Sequence, residues 1–266
     1  MILAGDVGGT KARLALFDHA GNDVTMRAQQ DYRTRDFASL EDAIAGFLTK
    51  NPGQVEAAAF GVAGPVLQNK VTPTNLAWII DGALLAKSLA LKDALLVNDL
   101  VAYGYGALAM KPEELVILQE GRAAEGNRGL IAAGTGLGEG GLLWHKGAFL
   151  PVPNEGGHTD FAPIDDPGVD LYRYLRAKFG RVSYERVVSG QGLKNTYEFL
   201  RDSKRAAEPP ALAEEMKSAK DIPALISHHG MSGTYAIFEQ ALDVFCTYYG
   251  AEAGNIALKF VAVGGI

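Results

Sequence analysis

Leu3-Ala-Gly-Asp-Val-Gly-Gly-Thr-Lys-Ala-Arg-Leu-Ala-Leu-Phe17 and Ile131-Ala-Ala-Gly-Thr-Gly-Leu-Gly-Glu-Gly-Gly-Leu-Leu-Trp144 follow one plan: an apolar run, a glycine cluster with a threonine, and a second apolar run. Each reads as two strands joined by a tight turn, and a plan stated twice points to two related halves. Glycine permits positive φ and close backbone approach, so a run of amides can converge on phosphate oxygens. Thr10 and Thr135 add hydroxyl donors. Asp6 cannot hold a phosphate, since two anions repel, but it can hold Mg²⁺ or a metal-bound water beside one.

Gly136, Gly138 and Gly141 also satisfy the dinucleotide spacing G-x-G-x-x-G. That reading, which would make the chain a nicotinamide-dependent oxidoreductase, requires a helix after the glycines. Gly141-Leu-Leu-Trp-His-Lys-Gly147 is instead short and apolar, the pattern of a strand.

The remaining composition narrows the class. The 266 residues suffice for one large domain or two ordinary ones, and 48% hydrophobic with 21% charged residues is a globular balance. A net charge of −6 without a Lys/Arg-rich stretch argues against nucleic acid as a partner. One cysteine, Cys246, permits neither an internal disulfide nor a Cys-based zinc cluster, and its apolar helical surroundings read as buried. No charged leader precedes Ile2 and no apolar run reaches the ~18 residues of a membrane span, so a cytoplasmic location without membrane partners is expected.

After the first hairpin the order reads β-β-β-α-β, with a third strand over Val24 to Gln30, a helix from the N-cap Ser39, and a buried strand over Val55 to Gly61. A short helix over Asp81 to Ala90, a strand over Ala94 to Val97 and a helix over Leu100 to Met110 complete that half, which Lys111-Pro112 closes. The expected domains are residues 1–109, a small α/β domain, and 110–266, a larger α/β domain. In the latter, strands from Gly129 precede helices at Asp170 to Phe179, Gly192 to Arg201, Ile222 to His229 and Ser232 to Leu258. Ala206 to Ala211 reads as a loop, and Lys259 to Ile266 as a buried strand entering a glycine turn.

Candidate chemistry lies after the strands. Asn98-Asp99 follows Leu95-Leu-Val97, where polar groups past a strand's carboxyl end bind ligands and an aspartate can take a proton from an attacking hydroxyl. A helix N-cap explains the pair equally well. Glu155-Gly-Gly-His158-Thr-Asp160 offers two carboxylates and an imidazole around a turn that a ligand can approach closely, suiting the paired hydroxyls of a sugar. Glu185, Thr74 and Asn75 have capping and turn readings of their own, and His228-His229 reads as a solvated helix end.

Together, Gly5-Asp6-Val-Gly-Gly-Thr10, Thr74-Asn75 with Trp78, Asn98-Asp99, Ala133-Gly-Thr-Gly-Leu-Gly138, Glu155-Gly-Gly-His158-Thr-Asp-Phe-Ala-Pro163 and Glu185 with Ser189-Gly190 resemble bacterial ATP-dependent glucokinases over essentially the whole chain. The resemblance implies two ribonuclease-H-like domains of the actin-like ATPase architecture, with a cleft between them, and transfer of the ATP γ-phosphoryl group to the 6-hydroxyl of glucose. It implies Asp99 as base; Asn75, Asn98, Asp99, Glu155, His158 and Glu185 as sugar ligands; and Asp6, Gly8, Gly9, Thr10, Gly134, Thr135 and Gly136 as the cradle for ATP phosphates and Mg²⁺. It also implies a homodimer. The Cys-rich zinc motif of the related repressor-containing sugar kinases is missing after the Glu155 segment, so no zinc is expected, whereas Lys11 stands where the zinc-free branch often has Asn. Family members continue past Gly264-Gly265-Ile266, so the chain reads as C-terminally incomplete, and a glucose-binding sensor without phosphoryl transfer is the alternative reading.

Overall fold

The computed structural model describes residues 1–266 apart from Asn22, Thr74, Asn75, Ala77 and Ala123, and of Asp23 and Pro153 it describes only the backbone. It divides into two compact units, Met1–Leu115 and Val116–Ile266.

In the first unit, β1 (Ile2–Val7), β2 (Lys11–Ala20) and β3 (Asp23–Arg33) form an antiparallel meander, followed by α1 (Leu40–Lys50) and β4 (Ala57–Val62). A two-residue ladder of β5 (Lys70–Val71) and β6 (Ile80–Asp81) leads to α2 (Gly82–Ser88), β7 (Leu95–Asn98) and α3 (Asp99–Ala109). The main sheet has the order β3-β2-β1-β4-β7, with β4 parallel to both β1 and β7. Alternation explains the core: Leu14 and Leu16 of β2 and Leu3 of β1 are buried, while Lys11 and Arg13 stay exposed. Burial of each such side chain contributes about 1.5–3 kcal/mol. Ser39 Oγ accepts from the Asp42 amide and caps α1, as expected.

The second unit begins with β8 (Arg128–Ala133), β9 (Leu137–His145) and β10 (Ala148–Pro153), an antiparallel sheet of order β10-β9-β8. Five helices follow: α4 (Asp166–Phe179), α5 (Gly190–Asp202), α6 (Pro210–Ser218), α7 (Ile222–Met231) and α8 (Ala236–Phe260). Leu171, Leu175, Leu193, Tyr197, Ile226 and Phe238 join their buried faces.

The residues after Gly136 form strand β9, as expected, which removes the dinucleotide reading and the oxidoreductase with it. Several other expectations are corrected. The expected loop holds over residues 206–209, but α6 begins at Pro210, because proline at a first helical position costs no hydrogen bond. Residues 259–266 form no strand: α8 runs through Phe260 and ends at Val261 in the left-handed region at φ 48°. Two hydrogen bonds then tie the tail to β8 and the residue before it, Gly264 N to Asn127 O and Gly129 N to Gly265 O, both 2.9 Å. Cys246 is exposed, because the buried stripe of α8 passes through Ala241, Tyr248, Glu252 and Ile256 and turns residue 246 outward. His229 is no solvated end: its ring packs on Tyr235 and its Nε2 lies 2.9 Å from Glu215 Oε1.

Candidate functional site

In the first unit the site is built around the β1–β2 turn. Gly8 N donates to Lys11 O at 2.9 Å, and the buried Thr34 holds the turn from behind, its hydroxyl donating to Gly9 O at 2.8 Å and its amide to Thr10 O at 3.2 Å. Asp6 and Thr10 are left exposed at the mouth. Arg13, opposite Asp6 in the β1–β2 ladder, grips Asp31 through Nε at 2.8 Å and holds that carboxyl down at about 2, with Lys11 assisting.

Asn98 and Asp99 stand where β7 passes into α3. Asn98 caps the helix, its Oδ1 accepting from the Leu100 amide at 2.9 Å and its Nδ2 donating to Gly64 O at 3.2 Å. Asp99 Oδ1 shares the Leu100 amide at 2.9 Å. Burial, with the negative charge of Asp6 adding to it, pushes the Asp99 carboxyl above the usual range. The capping reading thus applies to Asn98, while Asp99 is a half-buried carboxylate answering to a second one. Gly61 of β4 permits this approach of α3, since a Cβ there would lie 2.9 Å from that of Ala102. Asn75 and Thr74 fall outside the described residues.

Asp6 forms no ion pair among the described residues, and no group of three or more His, Cys, Asp or Glu among them could hold a metal ion. One exposed carboxylate can hold a hard cation that keeps most of its waters, which fits Mg²⁺ and not a metal needing an all-protein cage.

In the second unit Gly134 N closes the β8–β9 turn on Gly136 O at 2.8 Å, and Gly190 N donates to Gly134 O at 2.8 Å, joining the turn to the start of α5. A cavity of about 560 Å³ opens there, lined by Gly134, Thr135, Gly190, Gln191, Asp221 and Pro223 among others. Its size and mixed lining suit a nucleotide. Neither Gly8, Gly134 nor Gly136 adopts positive φ, contrary to the expectation from the glycine clusters. Gly136 is needed for space: a Cβ there would run into the Glu185 carboxylate.

Glu185, Glu155 and His158 are brought together. Glu185 Oε2 accepts from the Leu137 amide at 3.0 Å, and its Oε1 lies 3.8 Å from His158 Nδ1. Glu155 Oε2 lies 4.0 Å from His158 Nε2, so the imidazole sits between two carboxylates. The intervening glycines are required by contact, Gly157 by the Leu137 carbonyl and Gly156 by the carboxylate of Glu139. Asp160 is occupied by Arg181 at 2.8 Å.

Glu139 itself was missed. It is 2% exposed, its Oε1 has no hydrogen-bond partner, and burial together with the charge of Glu252 pushes it up to about 7. The available signal was a carboxylate inside an otherwise apolar, glycine-rich strand pattern, Leu137-Gly-Glu-Gly-Gly-Leu-Leu143.

The chain is similar to known proteins along its whole length. A glucokinase from Nostoc sp. is 39% identical over all of this chain and 82% of its own length. The crystal structure of a glucokinase from an Antarctic psychrotroph superposes with a TM-score of 0.81 at 29% identity, over 99% of this chain and 80% of that one. A Balamuthia mandrillaris glucokinase, crystallised with glucose, shares the fold at 22% identity and a TM-score of 0.73, over 97% of this chain and 76% of that one. With the glucokinase family model matching residues 3–266 on top of these likenesses, the chain belongs to the glucokinase family.

Proposed function

We propose that this chain is a glucokinase that transfers the γ-phosphoryl group of ATP to the 6-hydroxyl of glucose, supplying glucose 6-phosphate to glycolysis. The observation that carries the chemistry is Asp99, a half-buried carboxylate at the carboxyl end of β7 whose proton affinity is raised by burial and by Asp6. A loose phosphoryl-transfer transition state asks for positioning more than for a strong base, so an unshifted aspartate would have sufficed. The upward shift brings Asp99 closer to the working pH of a general base.

In the reaction the Asp99 carboxylate accepts the proton of the 6-hydroxyl as its oxygen bonds to the γ-phosphorus. The bond from that phosphorus to the β,γ-bridging oxygen breaks, and ADP carries the electron pair away. Asn75, Asn98, Asp99, Glu155, His158 and Glu185 are the proposed sugar ligands, with carboxylates and imidazole accepting from and donating to ring hydroxyls. The amides of Gly9 and Gly136 and the hydroxyls of Thr10 and Thr135 are the proposed phosphate donors, with Gly8 and Gly134, whose own amides close the two turns, lining the cradle. Asp6 would hold Mg²⁺ through its waters, and the ion supplies neutralisation of charge on the phosphoryl oxygens.

We read residues 1–109 and 110–266 as the two ribonuclease-H-like domains. Support comes from the order β3-β2-β1-β4-β7, three antiparallel strands continued by two parallel ones, and from the second unit's opening on an antiparallel β8-β9-β10 meander. A cytoplasmic homodimer completes the reading; among the described residues no helix is long and apolar enough to cross a membrane.

The test is ADP release by the purified 266-residue chain with Mg-ATP, with and without glucose. Glucose-dependent ADP is the expected result. Glucose binding without ADP release would replace the kinase by a sugar sensor.

A further inference from the structure

We propose that Glu139 is a positioning residue for glucose: its buried carboxyl, lodged under Gly156, sets the turn that presents Glu155 and His158, and glucose affinity falls when that carboxyl ionises. The proposal rests on the sugar site described above and adds a residue lying beneath it.

Glu139 projects from β9 and is almost fully buried, and a side chain on Gly156 would collide with its Oε2. Gly156 opens the single 3₁₀ turn Gly156–His158, so the atoms above the carboxyl are the backbone of the sugar-site turn itself. Its other oxygen, Oε1, finds no partner. An unpartnered buried carboxylate is costly, whereas a neutral carboxyl in the same place loses little.

The surrounding groups favour the neutral form. From α8, Glu252 is fully buried and takes Lys259 Nζ at 2.7 Å on Oε1 and Asn255 Nδ2 at 2.8 Å on Oε2. The one ammonium is therefore engaged by Glu252, and a second negative charge on Glu139 has none of its own. From the 3₁₀ turn Tyr184–Arg186, Tyr184 accepts from Asn255 Nδ2 at 3.0 Å, and its own phenol is held up at about 12 by burial and Glu252. From β8, the residue opposite Glu139 is the apolar Ile131. Tyr184 precedes Glu185 in the chain, so one buried network supports both the Glu155–His158 turn and Glu185.

The pH window follows from the pKa of about 7. Below it Glu139 is neutral; above it the carboxylate is repelled by Glu252 and draws water or a cation inward, which displaces Gly156.

The experiment is calorimetric titration of glucose into the full chain and into Glu139→Gln, at about pH 6 and about pH 8.5. Glutamine reproduces the neutral carboxyl, and the other groups of the site are the same in both proteins, so their contributions cancel in the comparison. Wild type is expected to lose roughly tenfold more affinity between the two pH values than Glu139→Gln does. The same pH dependence in both proteins overturns the proposal. Absence of glucose binding to wild type at either pH overturns the sugar site and the proposal with it, a result distinct from pH-independent binding, which overturns the role of Glu139 alone. Should Glu139→Gln not fold, Lys259→Met supplies the second reading: removing the cation raises the proton affinity of the Glu139–Glu252 pair, so the fall in affinity must move to higher pH. A fall that does not move overturns the proposal.

Discussion

Glu185 Oε2 accepts the Leu137 amide proton at 3.0 Å, so a carboxylate arriving from the segment before α5 is seated under the glycine turn that begins β9. The seat couples the two chemistries of the second unit. The turn proposed to offer amides to phosphate is fastened by the residue that faces His158 at 3.8 Å.

Gly136→Ala places a methyl group where the Glu185 carboxylate lies. The expected outcome is loss of the Leu137 hydrogen bond, a stability loss of about 1–3 kcal/mol in urea unfolding, and a raised KM for glucose. Gly134→Ala is the control, since a Cβ there meets nothing within 4 Å, and its unfolding midpoint should stay at the wild-type value.

Asp99→Asn removes the proton acceptor while keeping the shape and the capping amide contact. Steady-state ADP release is expected to fall by about 10²–10⁴-fold in kcat, with glucose affinity close to wild type. Near-normal turnover would remove Asp99 from the base role.

Thr34→Val keeps the volume of a buried side chain but leaves the Gly9 carbonyl without its hydroxyl donor. About 1 kcal/mol of stability should be lost, with KM for ATP raised more than KM for glucose, because the turn it supports is the proposed phosphate cradle. An unchanged KM for ATP would separate Thr34 from the cradle.

Glu139 also makes stability depend on pH. Its carboxyl titrates at about 7 in the folded chain against 4.5 for an ordinary glutamate, so folding favours the protonated form. The corresponding stability is present in full below about pH 4.5 and is lost as pH rises through about 7. The unfolding free energy of wild type in urea should therefore fall across that interval by an amount on the order of 3 kcal/mol, and that of Glu139→Gln should fall less. Parallel curves would show that Glu139 is ionised in the folded state.

Much of the first unit was legible before any coordinates. Asp6-Val-Gly-Gly-Thr10 is a turn between two strands because its apolar flanks alternate and its glycines interrupt them, and Ser39 caps α1 through the amide three residues away. The helix at Pro210 was hidden because Ala-Glu-Pro-Pro reads as a breaker until the second proline is recognised as a helix start. The tail after Leu258 was misread because Phe-Val-Ala-Val is as apolar as a strand, and period alone does not separate a short apolar run from the end of a long helix.

Properties carried by neighbours in the chain could be read from residues alone: the paired glycine turns, the capped helices, and Asn98-Asp99 at a strand's end. Properties carried by residues far apart could not. Glu185 under Gly136, Glu139 beneath Gly156 and in the field of Glu252, and Cys246 turned outward on α8 each depend on which surfaces pack together. Local backbone preference acts over a few residues, whereas desolvation and charge act through space, and only the folded chain decides which carboxylate loses its water.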